Sequence, residues 1–251
     1  ALHIQQGSLK KGQVYLGATE AYLPSMDGLE VLGHVSSIDA SAWLDTWKRM
    51  SPKNNTSTND KNIIRKVDVS TDKLIYDDYI FEQVSVDING KQNGWDVYLE
   101  APVAKGLITW VEQKPILLDL DYIHWPALSD DTEKSGAEKE DVLASIYPSM
   151  FPDVDFKVEE IFLGPRNYGK WQAKLRRQEH SLSLIDIDGR IKKLNVKGDV
   201  HWIKHEGANH AIQRTSLDLK LSSDDIGGVQ KAWMKKPVIE AKNTKVALNF
   251  N

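Results

Sequence analysis

Apolar and polar residues alternate along much of this chain, a pattern that indicates β-strands with one face in water. In the segment 95–103 the odd-numbered positions are apolar, whereas Asp96, Tyr98 and Glu100 fall on the other face. The segments 116–123 and 193–202 alternate in the same way. We therefore predict a mainly β fold of roughly twelve to fourteen strands.

Two dipeptides between these segments predict tight hairpin turns. Asn89-Gly90 and Asp188-Gly189 each follow an alternating run. A two-residue hairpin loop requires positive φ angles, which Gly and Asn adopt at low cost. Long antiparallel strands joined by short turns are expected to follow.

Two or three short amphipathic helices are expected to interrupt the strands. The segment 36–50 offers Asp39 as an N-cap, followed by apolar residues at helical spacing. The segment 222–237 repeats the arrangement with Asp225 as the cap and Pro237 as the stop. Between these segments the chain is polar at 51–62 and 129–141, which predicts exposed loops.

A short echo in the sequence indicates repeated β units. Val67-Asp68-Val69 matches Val154-Asp155-Phe156 at an offset of 154 − 67 = 87 residues, and the hydrophobic pattern downstream of each also matches. We predict four segments: the end of one β unit with its helix at 1–50, a second unit at 51–126, a polar linker with a possible helix at 127–150, and a third unit with a helix near 225–236 at 151–251.

Composition excludes several classes of function. The chain has 251 residues and no cysteine, and its 32 basic and 36 acidic residues are well mixed, with a net charge of −4. That balance argues against nucleic-acid binding, and the lack of cysteine excludes disulfides and thiolate chemistry. The sequence begins without Met or a signal peptide, so we expect a piece of a longer protein.

Candidate catalytic and metal-binding residues are few. His201, His205 and His210 suggest a zinc site by residue type, and Asp119/Asp121 and Asp186/Asp188 could each pair as acid and base. Exposed histidines and aspartates on the wet face of a strand are the simpler interpretation of both sets. We therefore expect no metal, no cofactor and no catalytic residue.

The motifs PDVDFKVEEIFLG (152–164), LNVKGDVHW (194–202) and LEVLGHVSSIDASAW (29–43) resemble those of the AsmA-like proteins of Gram-negative envelopes, most closely their YhdP-type branch. The resemblance covers nearly the whole chain except the polar linkers. It implies a curved antiparallel sheet of repeated units that forms an open groove lined with apolar side chains. It also implies a periplasmic protein, held in the inner membrane by an anchor outside this segment, which carries phospholipid between the inner and outer membranes and adjoins neighbouring repeats of the same chain.

The apolar face of the predicted sheet can be either a lipid groove or a sealed core. A sheet must cover its apolar face with another sheet, with helices or with a ligand. A dozen strands have few helices to cover them, so the sheet either folds on itself as a sandwich or barrel or curls into an open trough. The resemblance to the AsmA-like proteins favours the groove. The tryptophans 95, 110, 171 and 202 suit either role. The predicted groove residues are Val84, Val86, Trp95, Val97, Leu99, Leu118, Leu120, Tyr122, Trp171, Leu175, Leu184, Leu194, Val196, Val200, Trp202, Val246 and Leu248.

Overall fold

The structure, a computed structural model, describes residues 1–5, 8–17, 20–42, 64–77, 79–91, 93–125, 146–205, 212–225, 229 and 246–250. The chain divides into two compact units, 1–113 and 114–251. This division does not bear on the four segments predicted from the repeat, which stay a prediction. Within the described residues no helix has the length and apolar character needed to cross a membrane.

The first unit contains seven strands. They are β1 (Leu2–Gln5), β2 (Ser8–Leu16), β3 (Gly28–Asp39), β4 (Ile64–Tyr76), β5 (Tyr79–Lys91), β6 (Gly94–Ala101) and β7 (Ala104–Val111). Their order in the sheet follows the chain. The pairs β2–β3 and β3–β4 are parallel, and the other pairs are antiparallel.

The second unit contains the remaining eight strands. They are β8 (Ile116–Trp125), β9 (Val154–Leu163), β10 (Arg166–Asn167), β11 (Lys170–Arg177), β12 (Ser181–Ile191), β13 (Leu194–His205), β14 (Ile212–Ser223) and β15 (Val246–Phe250). The pair β8–β9 is parallel and the other pairs are antiparallel, with β10 pairing only with β9. The mainly β fold is confirmed, and the wholly antiparallel sheet is corrected to a mixed one. Long connections such as 40–63 allow the parallel pairs, because a parallel strand needs a crossover back to the starting end.

The sequence echo has a counterpart in topology. Residues 67–69 and 154–156 each lie early in a strand that pairs in parallel with the preceding strand and antiparallel with the next. Two strands further on in the order of the sheet, both units contain a hairpin with a two-residue loop. These hairpins are β6–β7 in the first unit and β12–β13 in the second. Repeated hydrophobic patterns therefore coincide with repeated strand pairings.

Both predicted hairpin turns are wrong. Gly90 lies inside β5 and Gly189 inside β12, and the strands end only after Lys91 and Ile191. Each glycine is paired instead with a tryptophan on the neighbouring strand, Gly90 with Trp95 and Gly189 with Trp171. A methyl group added at Gly189 would lie 2.5 Å from the Trp171 ring. Glycine is needed here because an aromatic ring lies across the strand, not because the chain turns.

Fewer helices than predicted fall within the described residues. The described residues contain one complete helix, the short 3-10 helix Pro148–Met150. Of the predicted helix near 39–50 they include the helical residues 40–42, and Asp39 caps this start by accepting a 2.9 Å hydrogen bond from the backbone N–H of Ala42. Of the predicted helix near 225–236 they include Val229, whose N–H donates to the Asp225 carbonyl at 3.1 Å. The remaining residues of both helices, and 127–145 of the predicted linker, lie outside the described residues.

Candidate apolar groove

One face of the first unit forms a groove with a volume of about 600 Å³. We call it the unit 1 groove. All its lining side chains except Thr71 are apolar, and they come from β2 to β7 and from residue 40, just after β3. They are Leu16, Val31, Ile38, Ala40, Ile64, Val67, Val69, Thr71, Leu74, Val84, Val86, Ile88, Trp95, Val97 and Trp110.

Cross-strand register explains why these side chains share a face. Val67 is paired with Val31 on one side and with Ile88 on the other, and Ile88 is paired in turn with Val97. Directly paired residues project to the same side of a sheet, so one apolar row crosses four strands. Along β4 the groove extends from Ile64 to Leu74, or roughly 30 Å at the usual rise of a strand.

A local irregularity keeps the groove apolar beyond the point where strict alternation would end it. The β4–β5 pairing skips Asp72 and Gln83 without a change of register, and Gln83 has a left-handed φ of 51°. Before this point Val31 and Val67 face the groove from odd-numbered positions. Beyond it the parity of the groove-facing positions changes, and Ile38 and Leu74 face the groove from even-numbered positions. Without this change of parity Lys73 would occupy the groove side of β4 in place of Leu74.

Thr71, the one polar lining residue, does not offer a free hydrogen-bonding group. Its side chain is buried, and its hydroxyl donates to the Lys73 carbonyl at 3.0 Å. The hydroxyl oxygen of Thr71 in turn accepts from the Lys73 N–H at 3.3 Å. A satisfied hydroxyl adds little polarity to the groove wall. The groove therefore presents hydrocarbon to whatever enters it.

The opposite face of the same strands is charged. Lys91 donates to Asp96 at 2.6 Å, Thr109 donates to the same carboxylate at 2.7 Å, and Lys105 donates to Glu100 at 2.8 Å. The hydrogen bond from Lys91, partly opposed by burial, lowers the pKa of Asp96, and the hydrogen bond to Glu100 raises the pKa of Lys105. The predicted wet face of β6, with Asp96, Tyr98 and Glu100, is confirmed.

The lowered pKa of Asp96 predicts an acid-sensitive contribution to stability. A carboxyl group whose pKa is lowered in the folded protein makes its full contribution to stability at pH values above the ordinary pKa of 3.8. This contribution is lost as the pH falls through the lowered pKa. We expect Asp96→Asn to reduce the unfolding free energy by about 1 kcal/mol near neutral pH, and by progressively less in acid. Urea unfolding across that pH range would measure this. Asp121→Asn is the control, because Asp121 is an exposed carboxylate on β8. An equal effect of both variants would contradict the assignment.

The structure places four of the predicted groove residues of the first unit in the unit 1 groove: Val84, Val86, Trp95 and Val97. Leu99 lies on the same side of β6, paired with Val86, but does not line the cavity. Trp110, weighed for either role, does line it. The prediction missed the contributions of β2, β3 and β4 and Ile88 of β5. The alternation of Val67 and Val69 was visible in the sequence and could have indicated their role. Ile38 and Leu74 lie beyond the parity change, so a strict alternation would not have placed them in the groove.

Most of the predicted groove residues that the structure describes in the second unit share one face, although their role as a lipid site stays a prediction. Leu184 is paired with both Leu175 and Val200, and Trp171 is paired with Gly189, which is paired in turn with Val196. Leu118 and Leu120 continue this face on β8, where they are paired with Phe156 and Val158. Tyr122 lies further along β8, beyond the position where the β8–β9 pairing skips Asp121 and Glu159, so the register does not place it on this face. Leu194 and Trp202 are at the two ends of the β13 row, and the side chains of Val246 and Leu248 lie outside the described set.

Four of the candidate catalytic and metal residues have polar partners on the charged face: Asp119, Asp186, Asp188 and His201. Asp119 accepts from Lys157 at 3.0 Å, Asp186 accepts from Lys174 at 2.7 Å, and Asp188 pairs with Lys197 at 3.2 Å. These contacts raise the pKa of Lys157 and of Lys174. His201 contacts the Ser183 hydroxyl at 2.9 Å, and the side chains of His205 and His210 lie outside the described set. No group of three or more potential metal ligands occurs in the described part of the chain.

These features define a class of protein: a mainly β protein built from repeated strand pairings, with one apolar face and one charged face in its sheets. The family model described as "YhdP protein" matches residues 1–251, and the chain belongs to the YhdP family. The chain has no match among curated proteins and none among solved structures.

Proposed function

We propose that this chain is a lipid-binding segment of an envelope lipid-transfer protein. The unit 1 groove holds phospholipid acyl chains, and the lipid moves between inner and outer membranes without a catalytic step. The full-length protein lies in the periplasm and is anchored in the inner membrane by a segment outside this one. Neighbouring repeats of the same chain continue the apolar path, and nucleic acid is not a partner.

The observation that carries this proposal is the near-complete absence of polar groups from a groove of about 600 Å³. That volume lies within the range of about 300–1,000 Å³ that is usual for small-molecule sites. Removing a hydrocarbon chain from water contributes about 0.8 kcal/mol per methylene, so ten buried methylenes contribute about 8 kcal/mol before the cost of immobilisation. A groove with no hydrogen-bonding demands suits acyl chains and leaves the head group in water.

Native mass spectrometry of the 251-residue chain, purified in a mild detergent, would test the proposal. We expect phospholipid to remain bound to a substantial fraction of the protein, because the groove would otherwise expose its apolar wall to water. Protein that is folded but lipid-free after gentle extraction and after incubation with phospholipid vesicles would contradict the proposal.

The second candidate function is a structural β module whose apolar faces are closed against protein. The burial of several side chains on the second unit's apolar face favours this alternative there: Leu120 is 6% exposed and Val158 is 2% exposed. Such a module would be lipid-free in the same experiment.

A further inference from the structure

A short segment lies against one end of the second unit's apolar face. We call residues 146–151 the strap. They include the 3-10 helix Pro148–Met150 and belong to no strand. Pro148 is fully buried and the helix contacts β12, whereas Tyr147 and Met150 are 41% and 68% exposed. The strap therefore packs on the unit with one side and meets water with the other.

Strand register places two cations on the apolar face at this end. Arg177 lies two positions beyond Leu175 on β11, and Lys204 lies two positions beyond Trp202 on β13. No residue is skipped in the pairing of these stretches, and Arg177 and Trp202 both pair with Leu182. Residues two apart on a strand share a face, so both cations project to the side of Leu175 and Trp202.

Both cations bind the strap. The Lys204 ammonium group donates a 2.8 Å hydrogen bond to the Ile146 carbonyl and lies 4.0 Å from the centre of the Tyr147 ring. The Arg177 guanidinium group donates to the Ser149 carbonyl at 3.2 Å. Lys204 is only 3% exposed, and a buried ammonium group requires acceptors. The strap supplies an acceptor and a ring to a lysine that stands on an apolar face.

The strap can leave the sheet without breaking the strand ladder. The Met150 N–H donates to the Tyr147 carbonyl at 3.0 Å, and the Phe151 N–H donates to the Pro148 carbonyl at 3.2 Å, so these bonds close within the strap. The hydrogen bonds described between residues 146–150 and the strands are donated by the two cationic side chains. A segment joined to a sheet through a few side chains opens at a lower free energy than the paired strands.

We propose that the strap closes this end of the second unit's apolar face and that Lys204 holds it closed. With the strap in place, protein covers the face beside Leu182 and Trp202. With the strap released, the same surface accepts a phospholipid acyl chain. This inference rests on the proposed lipid binding and adds a regulated point of entry to it. It also joins the two candidate functions of this face, because the closed state is a sealed module and the open state is a lipid surface.

Hydrogen exchange of the 251-residue chain tests whether Lys204 holds the strap. Lys204→Met keeps the apolar stem but removes the ammonium group, and with it the hydrogen bond and the ring contact. We expect the amides of Met150 and Phe151 to exchange about tenfold faster in this variant. NMR resolves the exchange of single amides. Unchanged exchange at both amides would overturn the inference.

Lipid retention tests whether release of the strap opens the face. Val86→Lys places a charge in the unit 1 groove, so lipid retained by a chain with this substitution reports on the second unit. Adding Lys204→Met to that chain should raise its apparent affinity for phospholipid by up to about tenfold, in proportion to the open fraction. Native mass spectrometry after incubation with phosphatidylcholine vesicles measures this, and the zwitterionic head group limits the direct effect of the lost charge.

Two further variants separate the strap from general effects. Tyr147→Ala removes the ring from the exposed side of the strap and should act in the same direction, even if Lys204→Met fails to fold. Lys197→Met, on the charged face of the same strand, should change neither exchange nor retention.

The outcomes distinguish this inference from the proposed function. Faster exchange without a gain in retained lipid overturns the role of the strap alone. Retention only by the variants with a released strap supports the strap and overturns lipid binding in the unit 1 groove. Retention by neither the unmodified chain nor any variant overturns both proposals.

Discussion

Val86→Lys is expected to abolish most phospholipid retention while leaving the fold intact. Val86 lines the unit 1 groove on β5 and is only partly buried, so a lysine there can extend its stem toward water. Its ammonium group would still stand where an acyl chain must lie, and a charge against hydrocarbon is strongly unfavourable. We expect retained lipid to fall about tenfold or more, which corresponds to about 1.4 kcal/mol. Native mass spectrometry, with circular dichroism as the measure of folding, gives the answer.

Ser85→Lys is the matched control, because Ser85 is the preceding residue on the same strand and faces the charged side opposite Glu100. It should retain lipid as the unmodified chain does. Val97→Trp supplies a test without charge, since added apolar volume fills the groove and should also reduce retention. If Val86→Lys unfolds the first unit, the face is a sealed core. If it retains lipid fully, acyl chains do not occupy this groove.

Gly198→Ala is expected to destabilise the second unit by about 2–3 kcal/mol. Gly198 lies within β13 at a φ of +139°, a backbone conformation that residues with a side chain rarely adopt. An added Cβ would also lie 1.9 Å from the carbonyl oxygen of Asp218 on β14. Backbone of a paired strand cannot move aside as a side chain can, so the ladder itself must distort. Urea unfolding followed by tryptophan fluorescence would measure the loss.

Lys197→Ala on the same strand is the control for the introduction of alanine into β13. It removes an exposed ion pair with Asp188, and such pairs contribute about 0–1 kcal/mol. An effect of Gly198→Ala no larger than this control would mean that β13 and β14 can separate without penalty. The prediction requires a clear difference between the two variants in urea midpoint at an unchanged slope.

The alternation of β13 shows how much of the sheet was predictable. Leu194, Val196 and Val200 were assigned to one face from spacing alone, and the cross-strand register confirms it. Asp96 and Glu100 were likewise assigned to the charged face of β6. Side-chain direction in a strand has a period of two, so a local pattern is enough to determine it.

Turns and helices were harder to predict, because the same residue types serve several purposes. Gly90 and Gly189 suggest turns when only their neighbours in sequence are considered, and the reason for each glycine is a tryptophan on another strand. The actual β12–β13 loop is Lys192-Lys193, and Lys192 has a positive φ of 54°. Lysine is not a typical turn signal, so the pattern of residue types could not locate this loop.

The sequence by itself determined that the chain forms mainly β-structure, which positions share a face within each strand, and that the family motifs extend along its length. Only the tertiary structure decided which strands pair in parallel, and how the irregularity at Gln83 changes the parity so that Leu74 and Ile38 join the groove. The physical reason is the range of the interactions. The direction of a side chain is set by its own backbone, whereas a groove is formed by strands that are distant in sequence and register with one another only in the folded sheet.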